Sequence, residues 1–172
     1  MKIAILSDSH DHIPNLRRAV NRAGEMGATL LIHCGDLISP FMLPELHRFQ
    51  GPVHLIYGNN VGDQHLISSR CQSLFDNIHH HGVQGEIEAG GLCIGFQHYP
   101  ALARGLALTG RYSVVCCGHN HIAATERIGN CLLINPGDLL GKDMAPGFML
   151  LDSNDLSVRR IEVGERLCLD GD

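Results

Sequence analysis

Seven side chains able to hold a transition metal stand at the ends of short apolar runs: Asp8 and His10, Asp36, Asn59, His98, and His119 with His121. Two carboxylates, one amide and four imidazoles make a mixed oxygen and nitrogen donor set without thiolate. Such a set suits manganese, iron, zinc, cobalt or nickel better than calcium. Seven donors exceed one tetrahedral site, but they fit two adjacent ions if one carboxylate, Asp36 by its position, bridges them. Two cations roughly 3.5–4 Å apart activate a shared water and neutralise negative charge, so the chemistry suggested is metal-assisted. Singly, each residue has a plainer reading: Asp8 and Asp36 as helix caps, Asn59 as a turn residue, His98 as a buried core histidine. Independent caps, however, have no reason to supply a complete two-ion set.

For these residues to meet, the runs before them must be neighbouring strands whose carboxyl ends face one way, where ligands bind in open α/β sheets. Residues 3–6 are a short apolar strand ending at Ser7-Asp8-Ser9-His10. A helix follows, with Pro14 in its first turn, Ile13, Leu16, Val20 and Ala23 at helical spacing, and Gly24 and Gly27 at its end. Residues 30–32 end in His33-Cys34-Gly35-Asp36, and 40–49 reads as helix with Pro44 in its first turn. Residues 53–57 end in Gly58-Asn59-Asn60, before a helix over 64–71. This βαβαβ order predicts parallel strands with helices on their faces.

The second half reads differently. Residues 84–89 and 92–97 flank Gly90-Gly91, a pair that supplies the positive φ angles of a tight hairpin. A short helix is expected over 102–108, and an apolar strand over 113–117 runs into Gly118-His119-Asn120-His121. Residues 122–128 and 131–134 flank Gly129-Asn130, and 148–151 pair with 156–161 around Ser153-Asn154-Asp155. Antiparallel pairing is therefore expected to dominate this half. The chain reads as one domain over residues 1–163, with 164–172 a loose surface tail.

Composition narrows the function classes. With 172 residues, 44% hydrophobic and 18% charged, the chain fits one globular core. No apolar stretch is long enough for a signal peptide or a membrane span, which predicts a soluble, cytoplasmic protein. Seven cysteines without C-x-x-C spacing fit a reducing compartment and argue against a disulfide framework. A net charge of −5, from 13 basic and 18 acidic residues, argues against an extended nucleic-acid surface but allows a nucleotide-sized ligand in a local pocket. Homo-oligomer formation is neither required nor excluded. There is no G-x-S-x-G elbow, and Gly137-Asp138-Leu139-Leu140-Gly141-Lys142-Asp143 lacks the spacing and the hydroxyl of a phosphate-binding P-loop.

Asp8-x-His10, Gly35-Asp36, Gly58-Asn59, His98 and Gly118-His119-x-His121, in that order at strand ends, resemble the signature of the calcineurin-like metallophosphoesterases, in particular their small single-domain bacterial and archaeal phosphodiesterases. The resemblance runs from residue 3 to about residue 140. It implies a mixed α/β fold, a four-layer αββα sandwich of two mixed sheets flanked by helices. It implies a binuclear centre in which Asp8, His10, Asp36 and His121 hold one ion while Asp36, Asn59, His98 and His119 hold the other, with manganese expected to serve in assay. A hydroxide bridging the ions would be the nucleophile, attacking a small phosphodiester or nucleotide-like substrate in line. A phosphomonoesterase using the same centre is the alternative. A protein-binding scaffold like the family's retromer subunit is the third reading, and the complete ligand set counts against it.

Three positions depart from the family pattern. Asn60 stands where many members carry a histidine that protonates the leaving group, and Val61 follows it where an acidic residue is usual. An amide binds a phosphate oxygen but is no general acid, so Asn60 is assigned to substrate binding alone. Tyr99 replaces the glycine usual after His98. Asp138 replaces a serine and is expected to repel or reorient an anionic ligand. Of the other histidines, His79-His80-His81 is expected to be a solvated loop and His12 surface at the helix start, while His33, His47, His54 and His65 receive no role.

Overall fold

The computed structural model describes residues 1–167. Its first half alternates strand and helix: β1 (Lys2–Leu6), α1 (Ile13–Glu25), β2 (Ala28–His33), a 3-10 turn over Pro40–Met42 running into α2 (Leu43–His47), β3 (Val53–Leu55), α3 (Gln64–Ser73) and β4 (Ile78–His80). There follow β5 (Gln84–Ala89), β6 (Leu92–Gln97), α4 (Pro100–Leu108), β7 (Val114–Cys116), β8 (Ala123–Ile128), β9 (Cys131–Pro136), β10 (Gly147–Asp152) and β11 (Val158–Glu162). One sheet has the order β11-β10-β1-β2-β3-β4 and the other β5-β6-β7-β9-β8.

Strand alternation sorts the apolar side chains into layers. Ile3 and Ile5 of β1 turn inward with Leu30 and Ile32 of β2 and meet Ile94, Phe96, Val114 and Ile134 of the second sheet. Ala4 and Leu6 turn outward with Leu31, Val53 and Leu55, beneath Leu16, Ala19, Val20 and Ala23 of α1. These four residues of α1 sit at i, i+3, i+4 and i+7, one buried stripe. Pro14 opens that helix where a missing N–H costs nothing, and His12 Nδ1 accepts from Asn15 N at 3.2 Å. On the far side, Ala103 and Ala107 of α4 pack on Tyr112, Val115, Cys117 and Leu133. The result is the expected four-layer mixed α/β sandwich. Each buried Ile, Leu or Phe contributes about 1.5–3 kcal/mol relative to exposure.

Antiparallel pairing dominates the second half as expected, in β5–β6, β8–β9 and both β10 pairs. The centre of the second sheet adds a parallel core that the sequence did not announce, with β6, β7 and β9 running the same way. The connections are the cause: α4 returns the chain between β6 and β7, and β8 returns it between β7 and β9. The parallel core matters because it turns the carboxyl ends of β6, β7 and β9 the same way along their sheet. The hairpin at Gly90-Gly91 forms as expected, with φ of 57° and 76°.

The histidine run, by contrast, is not the expected solvated loop. Ile78–His80 is an edge strand parallel to β3, with His79 opposite His54, and His54 Nδ1 lies 2.9 Å from His81 Nε2. Ile78 supplies the reason, since it anchors the segment in the outer core. Residues 163–167 follow the loop before β10, through Val163 N to Pro146 O (2.9 Å) and Leu167 N to Gly141 O (2.7 Å). The rest of the expected tail, residues 168–172, lies outside the described residues.

Burial in this edge cluster pushes the His54 and His80 imidazoles down to about 4, with neighbouring charged histidines adding to the effect. Both rings are thus neutral in the fold while the unfolded chain protonates them near 6.5. Their contribution is complete above pH 6.5 and is lost as pH falls from 6.5 towards 4. The ceiling is about 1.4 kcal/mol per pH unit for each histidine, reduced here by partial exposure. Urea unfolding at pH 7.5, 6 and 5 should show falling stability, and His54→Phe should flatten the slope; a profile equally steep in the variant would exclude this origin.

Candidate metal centre

The loops after β1, β2, β3, β6 and β7 gather at one rim of the sandwich. The β1 loop is laced to the β2 loop by Asp8 N to Gly35 O and His10 N to Asp36 O, both 3.0 Å. The β7 loop joins them through His119 N, which donates to Asp8 Oδ2 at 2.9 Å. Eight described residues other than glycine have positive φ. All but Leu156 lie in these loops: Asp8, His10, Asp11, Asp36, Ile38, His119 and His121. A left-handed backbone at such residues costs about 1–3 kcal/mol each and persists only where surrounding contacts over-determine it. Here those contacts are the cross-loop hydrogen bonds just named, and the strain aims side chains of one rim at a common point.

All seven expected donors belong to one contiguous network. Asp8 Oδ1 lies 3.8 Å from His10 Nε2 and 3.6 Å from His121 Nε2, and those two nitrogens are 3.1 Å apart. Asp36 reaches both halves, with Oδ2 3.7 Å from His10 Nε2 and Oδ1 3.5 Å from His98 Nε2. Asn59 Oδ1 is 2.9 Å from His98 Nε2 and 2.7 Å from His119 Nδ1. Asp8, Asp36 and His98 are buried, while His119 and Asn59 are exposed, so the network is closed beneath and open above.

The donor chemistry fits cations. His98 Nδ1 donates to Cys34 O at 2.8 Å, which in the neutral ring leaves Nε2 a bare lone pair facing the oxygens of Asn59 and Asp36. Asp8 Oδ1 is buried with no hydrogen-bond partner, an expense that a bound cation would remove. Among the described residues, the ion pairs of Asp8, Asp36 and Asp138 are all with histidines, none with Lys or Arg. Asp8, His10 and His121 form one group whose atoms could hold an ion, and Asp8, Asp36 and His98 another.

Burial raises the Asp8 carboxyl, but the nearby His121 and Ser7 side chains, the His98 ring and the His119 N–H outweigh it and leave the group below its ordinary value. Burial lowers His10 against the pull of Asp36 and Asp8. His121 goes the other way, raised to about 10 by Asp138 first and Asp8 second. The two carboxylates thus favour the protonated ring, and a cation bound there would compete with that proton. Beneath the rim, burial pushes His33 down to about 4; its Nε2 lies 3.1 Å from Ser9 Oγ.

Asp138 does not face an anionic ligand as expected. It is fully buried, with Oδ2 3.1 Å from His121 Nδ1. The sequence carried a signal for this: Asp138 ends the apolar run of β9 just as the other donors end theirs. Asn15 was also missed, a buried amide on α1 whose Nδ2 donates to Leu139 O at 2.8 Å and fixes the Asp138 loop. Asn60 lies in the rim with its N and Nδ2 donating to Asp36 at 2.8 and 2.6 Å. Tyr99 stands edge-on to His119, ring centroids 4.7 Å apart. Beside it, Pro100, Asn120, Ile122, Leu133 and Asn135 line a cavity of about 270 Å³.

Gly118 lets the two sheets' loops touch. A Cβ there would overlap Ser7 Oγ and come within 2.5 Å of Asp8 Oδ2. Gly118→Ala should therefore cost about 1–3 kcal/mol of stability by overpacking and push Asp8 out of register. An unchanged urea midpoint would show that the loops can separate freely.

Comparison with known proteins agrees with this geometry. The profile of the calcineurin-like phosphoesterase superfamily domain matches residues 1–156. A phosphodiesterase of Methanocaldococcus jannaschii is 31% identical over 94% of this chain and 98% of its own length. A probable metallophosphoesterase of Bacillus subtilis is 30% identical over 81% of this chain and 75% of its own. A solved archaeal phosphodiesterase superposes with a TM-score of 0.87 at 29% identity, covering 94% of this chain and 99% of that one. The vacuolar protein sorting protein 29 of Cryptosporidium parvum shares the fold, with a TM-score of 0.64 at 16% identity over 95% and 98% of the two chains. Matched along nine-tenths of its length and carrying the ordered donors at its strand ends, this chain belongs to the calcineurin-like phosphoesterase superfamily.

Proposed function

We propose that the protein is a phosphodiesterase that hydrolyses a small, nucleotide-like phosphodiester. It would hold two divalent transition-metal ions on Asp8, His10, Asp36, Asn59, His98, His119 and His121, with manganese serving in assay. The observation that carries this reading is the set of lone pairs at the rim: Asp8 Oδ1 without a partner, and His98 Nε2 facing only oxygens. The likeness to phosphodiesterases at 31% and 29% identity supports the diester. When bound, the ions supply Lewis acidity that activates water and neutralises phosphoryl charge.

The protein's own groups divide the remaining work. Asp36 lies 3.7 Å from His10 Nε2 and 3.5 Å from His98 Nε2, one oxygen towards each, which suits it to bridging. Asn60 holds both oxygens of Asp36 and so orients the bridge. Having no proton to release, its amide serves at most as a hydrogen-bond donor to a phosphate oxygen, so substrates with good leaving groups are favoured. The cavity beside Tyr99 and Asn120 offers apolar walls to one ester substituent, which a diester uses better than a monoester. A scaffold role is supported by fold likeness alone and leaves the complete donor set unexplained. The six described cysteines are free, five of them buried, and among the described residues no helix is long and apolar enough to cross a membrane; both are consistent with a reducing, cytoplasmic setting.

With added Mn²⁺, bis(p-nitrophenyl) phosphate should be hydrolysed faster than p-nitrophenyl phosphate. Asp36→Ala should lose both ions and more than the roughly 10–100-fold in activity that losing an outer partner costs. Metal content per chain and initial rates test both points. A faster monoester would favour the phosphomonoesterase, and equal metal-independent rates in both proteins would end the enzymatic reading.

A further inference from the structure

We propose that Asp138 is a positioning residue that makes the Asp8–His10–His121 position the tighter of two unequal ion sites. The inference rests on the two-ion reading above and adds an order to it. The four imidazoles of the rim are not supported alike. His98 is held by a neutral group, its Nδ1 donating to the Cys34 carbonyl at 2.8 Å. His121 is held by a buried carboxylate, with Asp138 Oδ2 3.1 Å from Nδ1. A carboxylate behind a metal-binding imidazole fixes the tautomer, leaves the far nitrogen's lone pair free, and makes the ring a stronger donor. The far nitrogen here is Nε2, the atom 3.6 Å from Asp8 Oδ1.

Asp138 is built into this place. Leu139 N donates to Asp8 O at 3.1 Å, Leu140 N does the same at 3.1 Å, and Gly147 N donates to Asp138 O at 3.1 Å. Asn15 holds the next carbonyl from α1. The carboxylate therefore has little room to swing towards solvent, and its Oδ1 is buried without a hydrogen-bond partner. Charge follows the same division. Asp138 serves one position alone, Asn59 and a backbone carbonyl serve the other, and Asp8 and Asp36 reach both. A first cation should enter on the side with three carboxylates, and the second should bind more weakly beside it. Asp143 also approaches His121 Nδ1, at 3.7 Å, but its side chain is 62% exposed and it makes a natural control.

The test is a stepwise Co²⁺ titration of the metal-stripped full chain, followed by calorimetry and visible absorption. The wild-type protein should show two steps of unequal affinity. Asp138→Ser should weaken the tighter step about 10–100-fold and shift its absorption band while sparing the weaker step. Asp138→Asn, whose amide oxygen still accepts from Nδ1, should recover part of the loss, and Asp143→Asn should titrate as wild type. Far-UV circular dichroism of the metal-free proteins checks the fold. Should the Ser variant not fold, the isosteric Asn variant carries the test, with a several-fold loss confined to the tighter step. Wild-type titration of the decisive variant, equal weakening of both steps, or a loss that follows Asp143 would overturn the proposal alone. Failure of the wild-type protein to bind Co²⁺ stoichiometrically would reject the two-ion reading and the proposal with it.

Discussion

Three buried carboxylates, Asp8, Asp36 and Asp138, crowd four imidazoles at one end of a sandwich, and among the described residues none of the three pairs with a lysine or arginine. Burying charge without a partner is among the most costly acts a fold can perform. Solvent cannot reach Asp8 or Asp138, and each keeps one oxygen without a hydrogen bond. In the ion-free protein the cationic His121 ring between those two carboxylates meets part of the debt. A bound cation would meet the remainder. Much of the architecture can be understood as the means of holding that unfavourable cluster in place until a cation arrives.

The means are mostly backbone. Strands deep in two apolar layers carry the loops, so a loop that relaxed its strained φ angles would have to drag core residues such as Leu6, Ile32 or Cys116 with it. The loops also restrain one another across the gap between sheets, as when His119 N donates to the Asp8 carboxylate. Gly58 and Gly118 take part by omission, since a methyl group at either would meet Asp36 or Asp8. Preorganisation of this kind lets an ion bind without ordering the chain first, and the folding free energy of the two cores covers the strain.

The sequence disclosed the candidate donors because strand ends are legible. An apolar run that stops at Asp, Asn or His says both where a side chain sits and which way it leaves the sheet, and five such stops defined the rim. Partners across space were harder to see. Asp138 ends a run in the same manner, yet nothing local says that His121 lies 3.1 Å away. Asn15 sits within a helical pattern and is 124 residues from the carbonyl it holds. The parallel core of the second sheet was hidden for a related reason: glycine pairs announce hairpins locally, whereas parallel pairing appears only once α4 and β8 have returned the chain. The edge strand β4 was masked by composition, because three histidines suggest solvent and the single Ile78 that anchors the segment carries little weight in a pattern.

Asn60 and Asp138 can be understood together. Both stand where relatives of this pattern carry another residue, and both turn their hydrogen-bonding capacity onto the metal-binding side chains. Asn60 spends its N–H and amide donors on Asp36, and Asp138 spends its oxygen on His121. A histidine at position 60 would be able to deliver a proton to a departing alkoxide; an amide there can only hold the bridge still. The two substitutions therefore move the site in one direction, towards firmer retention of cations and away from assistance to the leaving group. An esterase shaped in that way depends on its substrate to leave well. That dependence suits a diester in which one ester oxygen is already weakly basic, with its substituent resting in the cavity beside Tyr99.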